Sequence, residues 1–179
     1  NIYSTNFDGV DDYVALGISG LDAMTNIGSM SAWIKLGAMT AGGEIMRLFK
    51  SSDDHIKMFW HNSDEEIYVT YKVGGVPTTV GFADAIEDDG LWHHVTGTWD
   101  SSGDVKIYLD GTLKDTAAIS GTFSGSLTAA SIGNNADGAS FWLGNIDEVS
   151  IYDSELTAAN VTTLYNDGFP NTVAGDTGL

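Results

Sequence analysis

The stretch LWHHVTGTWDSSGDVKIYLDGTLKDTAA, Leu91 to Ala118, reads as three consecutive strands. Two turn signals divide it, Ser101-Ser102-Gly103-Asp104 and Asp110-Gly111. Asp-Gly is a strong hairpin signal because a type I′ turn needs two residues that tolerate positive φ. Between the turns, Val105, Ile107 and Leu109 alternate with Lys106 and Tyr108. A period of two places the first set on one face and the second on the other, which is the pattern of a half-buried antiparallel strand.

The rest of the chain repeats this logic. YSTNFDGVDDYVALG (3–17) suggests two short strands around an acidic turn, Asp8-Gly9-Val10-Asp11-Asp12. Residues 18–30 read as a loop with weak helical content. SAWIKL (31–36) alternates as a strand with Trp33 expected to point inward. Further strands are predicted at EIMRLFK (44–50), HIKMFWH (55–61), EIYVTYKV (66–73), TTVGFA (78–83), SLTAASIG (126–133) and FWLGNIDEVSIY (141–152). Turn signals every 8 to 12 residues or so point to a sandwich or barrel. One helix stands out, TAANVTTLYND (157–167), with Thr157 as N-cap. Ala158, Val161, Leu164 and Tyr165 fall at helical spacing, Gly168 suits the left-handed position beyond the end, and Pro170 blocks continuation.

Composition bounds the function classes. The chain has 179 residues, 22 Gly and no Cys, so a thiolate metal site and a disulfide framework are excluded. With 25 acidic against 7 basic residues the net charge is −18, which lacks the basic footprint of a nucleic-acid binder. No apolar run approaches the ~18 residues of a membrane-spanning helix, and no signal peptide is visible. Nucleic-acid binding and membrane insertion are therefore not expected. The acidity has two readings, solubility in a saline setting or carboxylates that hold calcium. The first residue is Asn1 rather than Met, and residues 171–179 lack apolar periodicity. The expectation is a domain over 1–170 and a linker or tail over 171–179, together a module of a longer protein.

Four segments resemble the laminin-G-like, concanavalin-A-like jelly-roll family: FDGVDDYV (7–14), SAWIKL (31–36), LWHHVTGTWDSSGDVKIYLDGTLKD (91–115) and LGNIDEVSIYDSELTAANVTTLYNDG (143–168). The resemblance implies an all-β fold, a two-sheet antiparallel jelly-roll β-sandwich with one short C-terminal helix. It also implies a module that binds carbohydrate or protein, often with calcium, in secreted enzymes, adhesins or phage structural proteins.

Candidate sites follow from residue chemistry. Some β-glucanases of this fold carry an E-x-D-x-x-E strand, which this chain lacks; Asp64-Glu65-Glu66 and Glu87-Asp88-Asp89 sit in predicted turns. Asp147 and Glu148 are strand neighbours, expected on opposite faces. His93 and His94 likewise face apart and cannot chelate one ion together; one is expected buried and hydrogen-bonded. His55 and His61 are single, and no G-x-S-x-G elbow occurs. No catalytic residue is assigned and the module is expected to be non-catalytic. For calcium, Asp8 and Asp147 would meet if the first and last strands are neighbours, against the reading that Asp8, Asp11 and Asp12 only form a turn. Asp53 and Asp54 with Asn134, Asn135 and Asp137 form a second loop candidate. For a ligand, Trp60, Arg47, Lys57 and Tyr68 could line one sheet face, against the reading that Trp60 joins Ile56 and Met58 in the core.

The expected function is recognition of a glycan or polysaccharide, with calcium as a possible structural ion, in an extracellular, cell-surface or virion protein. The alternative is a structural or decoration module whose partners are protein subunits of a larger assembly. A glycoside hydrolase or lyase is the third reading.

Overall fold

The computed structural model describes residues 4–83, 86, 89–135 and 138–166. Gly168, Pro170 and the expected linker at 171–179 lie outside these residues, as do Glu87, Asp88 and Asp137. Among these residues twelve strands form two six-stranded antiparallel sheets, with one α-helix. The first sheet has the order β1 (Thr5–Asp8), β12 (Leu143–Tyr152), β3 (Ile27–Leu36), β8 (His93–Asp100), β9 (Asp104–Leu109), β10 (Thr112–Ala118). The second has the order β2 (Val14–Leu16), β11 (Ala129–Ile132), β4 (Gly43–Ser51), β5 (Asp54–His61), β6 (Glu66–Val73), β7 (Val76–Phe82). This is the expected jelly-roll sandwich.

The deciding stretch folds as read. β9 and β10 join through Asp110 and Gly111, at φ 49° and 76°, the two left-handed positions a type I′ turn requires. Val105, Ile107 and Leu109 face the core with β8 residues Val95 and Trp99. The second sheet supplies Met46, Leu48, Ile56, Met58, Trp60, Ile67, Val69 and Tyr71 from the other side. Burying each large apolar side chain is worth roughly 1.5–3 kcal/mol, so this interdigitated layer is the main source of stability. Trp99 is also held by its indole N–H, which donates to the Met24 carbonyl at 2.7 Å. At one margin the edge strands β7 and β10 meet, and Gly81 N–H donates to Asp115 Oδ2 at 3.3 Å.

Three local readings need correction. β3 begins at Ile27, so residues 27–30, the end of the expected loop, are strand; a 3₁₀ turn at Leu21–Met24 supplies the weak helical content before it. Trp33 is buried but points away from the core: Met30, Ala32, Ile34 and Leu36 take the inward parity, and Trp33 takes the outer one. Its cover is the helix α1 (Ala158–Tyr165), whose Tyr165 ring stacks on Trp33 with centroids 5.7 Å apart. Thr157 caps this helix as expected: its Oγ1 accepts from Asn160 N–H at 3.2 Å, and Asn160 Oδ1 accepts from Thr157 N–H at 3.1 Å. Its end comes at Asn166, in the left-handed region at φ 48°. Finally, β12 carries a bulge between Asp147 and Ser150 with Glu148 at φ 46°, so simple alternation does not hold for the Asp147-Glu148 pair.

Candidate functional site

The two outer faces of the sandwich differ in what covers them. α1 seals the first sheet: Val161 is fully buried there, and His94 packs 5.3 Å from Trp33. The second sheet has no helix among the described residues. Its outer face carries the residues that alternation excludes from the core, and these fall in register as three rows across the strands.

The middle row is polar and reaches all six strands: Ala15, Ser131, Arg47, Lys57, Thr70 and Thr79 are successive cross-strand partners. One flanking row runs Glu44, Phe59, Tyr68, Gly81, and the other runs Ala129, Phe49, His55, Lys72. Ser131, Arg47 and Thr70 are buried although they lie on an outer face, as are Glu44 and His55 in the flanking rows.

Charge is concentrated here. Four of the seven Lys and Arg residues, Arg47, Lys50, Lys57 and Lys72, lie on β4 to β6. Glu44 binds two of them: its Oε1 accepts from Arg47 Nη1 at 3.1 Å and lies 3.5 Å from Lys57 Nζ. The Lys57 ammonium sits 3.8 Å above the Phe59 ring centroid, and the Arg47 guanidinium 4.9 Å from that of Phe49, both within cation–π range. Burial pushes the Lys57 ammonium below the usual lysine range, opposed by the Glu44 carboxylate. Burial, aided by the Arg47 charge, lowers His55 to about 4, so it is neutral at pH 7.

The aromatic end of the face is built by Phe59, Tyr68 and His61. Phe59 and Tyr68 stack with centroids 5.5 Å apart. Tyr68 lies over Gly81, where a Cβ would come 2.3 Å from the ring; only glycine fits beneath it. The Tyr68 hydroxyl donates to Asp64 Oδ2 at 2.9 Å, while Asp64 Oδ1 is 2.8 Å from His61 Nδ1. The Glu66 carboxylate, then burial and Asp64, raise the pKa of Tyr68 above the usual range, and the His61 hydrogen bond lowers that of Asp64. Half-exposed rings, a cation and fixed hydrogen-bonding groups are the ingredients of a site for a polyhydroxyl ligand.

The sequence-derived ligand set is therefore split. Arg47, Lys57 and Tyr68 share this face. Trp60 does not: it is 1% exposed, pairs with Ile67 and lies in the inter-sheet core. Phe59, its neighbour of opposite parity, stands where the aromatic was sought. Reading alternation through β5 locates it, because Lys57, Phe59 and His61 share one parity and Ile56, Met58 and Trp60 the other.

The metal pair is also separated. β1 and β12 are neighbours, but Asp8 pairs with Leu143 whereas Thr5 pairs with Ile146. Asp147 thus lies four positions along from Asp8's partner, roughly 13 Å at about 3.3 Å per residue. Asp147 instead accepts the Glu148 N–H on its Oδ1 at 2.8 Å, within the bulge. Asp8, Asp11 and Asp12 do gather, with ligand oxygens within 4.8 Å of one another. This all-oxygen set suits calcium, although Asp8 Oδ1 already accepts Val10 N–H at 2.8 Å and Asp12 Oδ2 accepts Asp8 N–H at 3.0 Å. The second calcium candidate is divided: Asp53 and Asp54 lie at the β4–β5 turn, whereas Asn134 follows β11, whose pairing runs back toward the start of β4. Asp54 is engaged by Lys50 Nζ at 2.9 Å and Gly74 N–H at 2.9 Å.

His93 and His94 face apart as expected, but burial and hydrogen bonding, expected of one residue, are divided between the two. Buried His94 has no partner on Nδ1, and burial lowers it to about 4. Half-buried His93 is the hydrogen-bonded one, with Nδ1 2.9 Å from Asp110 and Nε2 3.0 Å from Asp89. Asp110, foremost, raises its pKa.

The family model of the concanavalin A-like lectin/glucanase superfamily matches residues 8–162. Among solved structures the chain is similar to the binding domain of botulinum neurotoxin DC, crystallised with rat synaptotagmin II (20% identity, TM-score 0.65, 86% of this chain and 39% of that one). It is similar to the botulinum neurotoxin type C described as depending on two ganglioside molecules for cell entry, with the same figures. It is also similar to a heptameric SAP-like pentraxin from Limulus polyphemus (18% identity, TM-score 0.69, 89% of this chain and 80% of that one). The chain spans about two fifths of the toxin chains. No curated protein matches it. At these identities the likeness is one of fold, while the match over most of the chain's length makes it a member of the concanavalin A-like lectin/glucanase superfamily.

Proposed function

We propose that the chain is a non-catalytic carbohydrate-recognition module and that it binds its ligand on the outer face of the second sheet. The observation that carries this reading is the open face itself, where Lys57, Phe59, Tyr68 and the buried Glu44–Arg47 pair stand on adjacent strands. The mechanism is passive. A rigid sheet fixes the rings for stacking against sugar C–H surfaces, and the flanking polar groups exchange water for sugar hydroxyls at little ordering cost. That one of the similar toxins is described through gangliosides supports a glycan ligand. Calcium belongs to the proposal only at the Asp8–Asp12 turn, where it would order the loop. The proposed setting is a larger secreted, cell-surface or virion protein.

The test is affinity electrophoresis through gels containing cellulose derivatives, chitin derivatives, xylan, β-1,3-glucan, mannan or alginate, with an array of sialylated glycans beside it. Retardation by at least one, lost in Phe59→Ala, is expected. No interaction in any gel or array would move the assignment to the structural module that contacts protein subunits.

A further inference from the structure

The middle row does not stop at the aromatic end of the face. It continues through Arg47 and Ser131 to Ala15 at the far margin, five strand spacings or ~24 Å in all at about 4.8 Å each. At that far end a depression of about 230 Å³ opens on the outer surface. Its floor is the small side chains of Ala15, Ala129 and Ser131, and Tyr13 and Asn134 stand around it. Tyr13 is 55% exposed, a large aromatic held in water. Asn134 is 2% exposed, yet its Oδ1 has no hydrogen-bond partner. Arg47, the third residue of the row and outside the lining of the depression, is 7% exposed and its Nε is likewise unpartnered. An acceptor at the depression and a donor farther along the row thus stand unmatched, which is costly unless something supplies both.

We propose that the row is a track for an extended polyhydroxyl chain, with the depression beside Tyr13 as its terminal subsite. The ligand class is then a linear polysaccharide segment lying across the strands, rather than a single terminal sugar. Successive hydroxyls of one chain match the two orphan atoms, because a hydroxyl donates to an amide oxygen and accepts from a guanidinium N–H; a carboxylate cannot do the first, nor an ammonium the second. The spacing of the aromatic groups, Phe59 and Tyr68 toward one end and Tyr13 at the other, requires a ligand longer than one ring. The net charge of −18 also favours a neutral chain over a polyanion. This inference rests on the functional reading above.

The experiment compares purified dimers and hexamers from hydrolysates of cellulose, chitin, xylan, β-1,3-glucan and mannan, with sialyllactose as the terminal-sugar probe. Binding is measured by calorimetry to the whole chain and to Tyr13→Ala and Ala129→Leu, the second of which fills the depression. For at least one polymer the hexamer is expected to bind about tenfold tighter than the dimer. Both variants should remove that gain, leave the dimer's affinity unchanged and melt like the parent. Equal dimer and hexamer affinities, a hexamer gain that survives both substitutions, or binding confined to sialyllactose would overturn the track while leaving the recognition function standing. No binding by any probe would overturn both.

Discussion

The two outer faces begin from similar chemistry and end differently. On the first sheet an aromatic and a histidine, Trp33 and His94, stand on adjacent strands; on the second, Phe59, Tyr68 and His61 do so. The first group is sealed under α1, with Tyr165 stacked upon it. The second stays half-exposed, with its polar groups engaged by Glu44 and Asp64 rather than by a covering element. Strand residues alone therefore do not make an outer face a core or a site; what the chain does after its last strand decides. Among the described residues α1 lies on the first sheet and no helix lies on the second.

The sharpest way to break the comparison is to exchange the expected consequences. Trp60→Ala and Trp33→Ala should each cost about 3–5 kcal/mol in urea denaturation, since each leaves a large cavity. Phe59→Ala and Lys57→Ala should each stay within about 1 kcal/mol while abolishing glycan retention. If Phe59→Ala proves as destabilising as Trp60→Ala, the open face is a packed one and the contrast fails.

The histidines give a second, smaller effect that divides by face. His94 on the covered side and His55 on the open side are both lowered to about 4 by burial. The unfolded chain takes up these protons near pH 6.5, so stability should fall as pH drops from about 6.5 toward 4, by on the order of 1–3 kcal/mol per histidine. His93 has the opposite sign. Its raised pKa means that its contribution is complete below about 6.5 and is lost as pH rises through the folded value. Urea titrations at intervals from pH 5 to 8 should show His94→Gln flattening the acid limb and His93→Gln flattening the alkaline one. A pH profile unchanged by either substitution would contradict these environments.

Smallest should be the effect at the helix cap. Thr157→Ala should lower stability by about 1 kcal/mol. It would loosen only the covered face, so glycan affinity should be unaffected; a parallel loss of affinity would mean that the two faces are coupled. A melting temperature raised by calcium and restored by Asp11→Asn with Asp12→Asn would place the ion at the acidic turn; no rise would remove calcium from the account.

Much of this architecture was legible because a period of two survives in β5, β6 and β9, where one face is apolar throughout. Trp33 was misplaced because both faces of the first sheet are buried, and burial on both sides erases the contrast that alternation depends on. Trp60 is a different kind of miss. Lys57 and Trp60 are three residues apart in one strand, so they cannot share a face, and the same rule that found β5 points to Phe59. The distance between Asp8 and Asp147 was not legible at all. That the first and last strands pair does not specify register, and here register sets the two carboxylates at opposite ends of the pairing. Nor does sequence reveal the small-residue depression beside Tyr13, which exists only because β2, β11 and β4 are brought together from positions far apart in the chain.

The most direct test of the central claim is hydrogen–deuterium exchange of the whole chain with and without a polysaccharide that retards it in the gel assay. Ligand-dependent protection confined to the second sheet, β2, β11 and β4 to β7, is predicted. Protection at α1 and β3 instead, with the second sheet unchanged, would contradict the assignment of the open face as the binding surface.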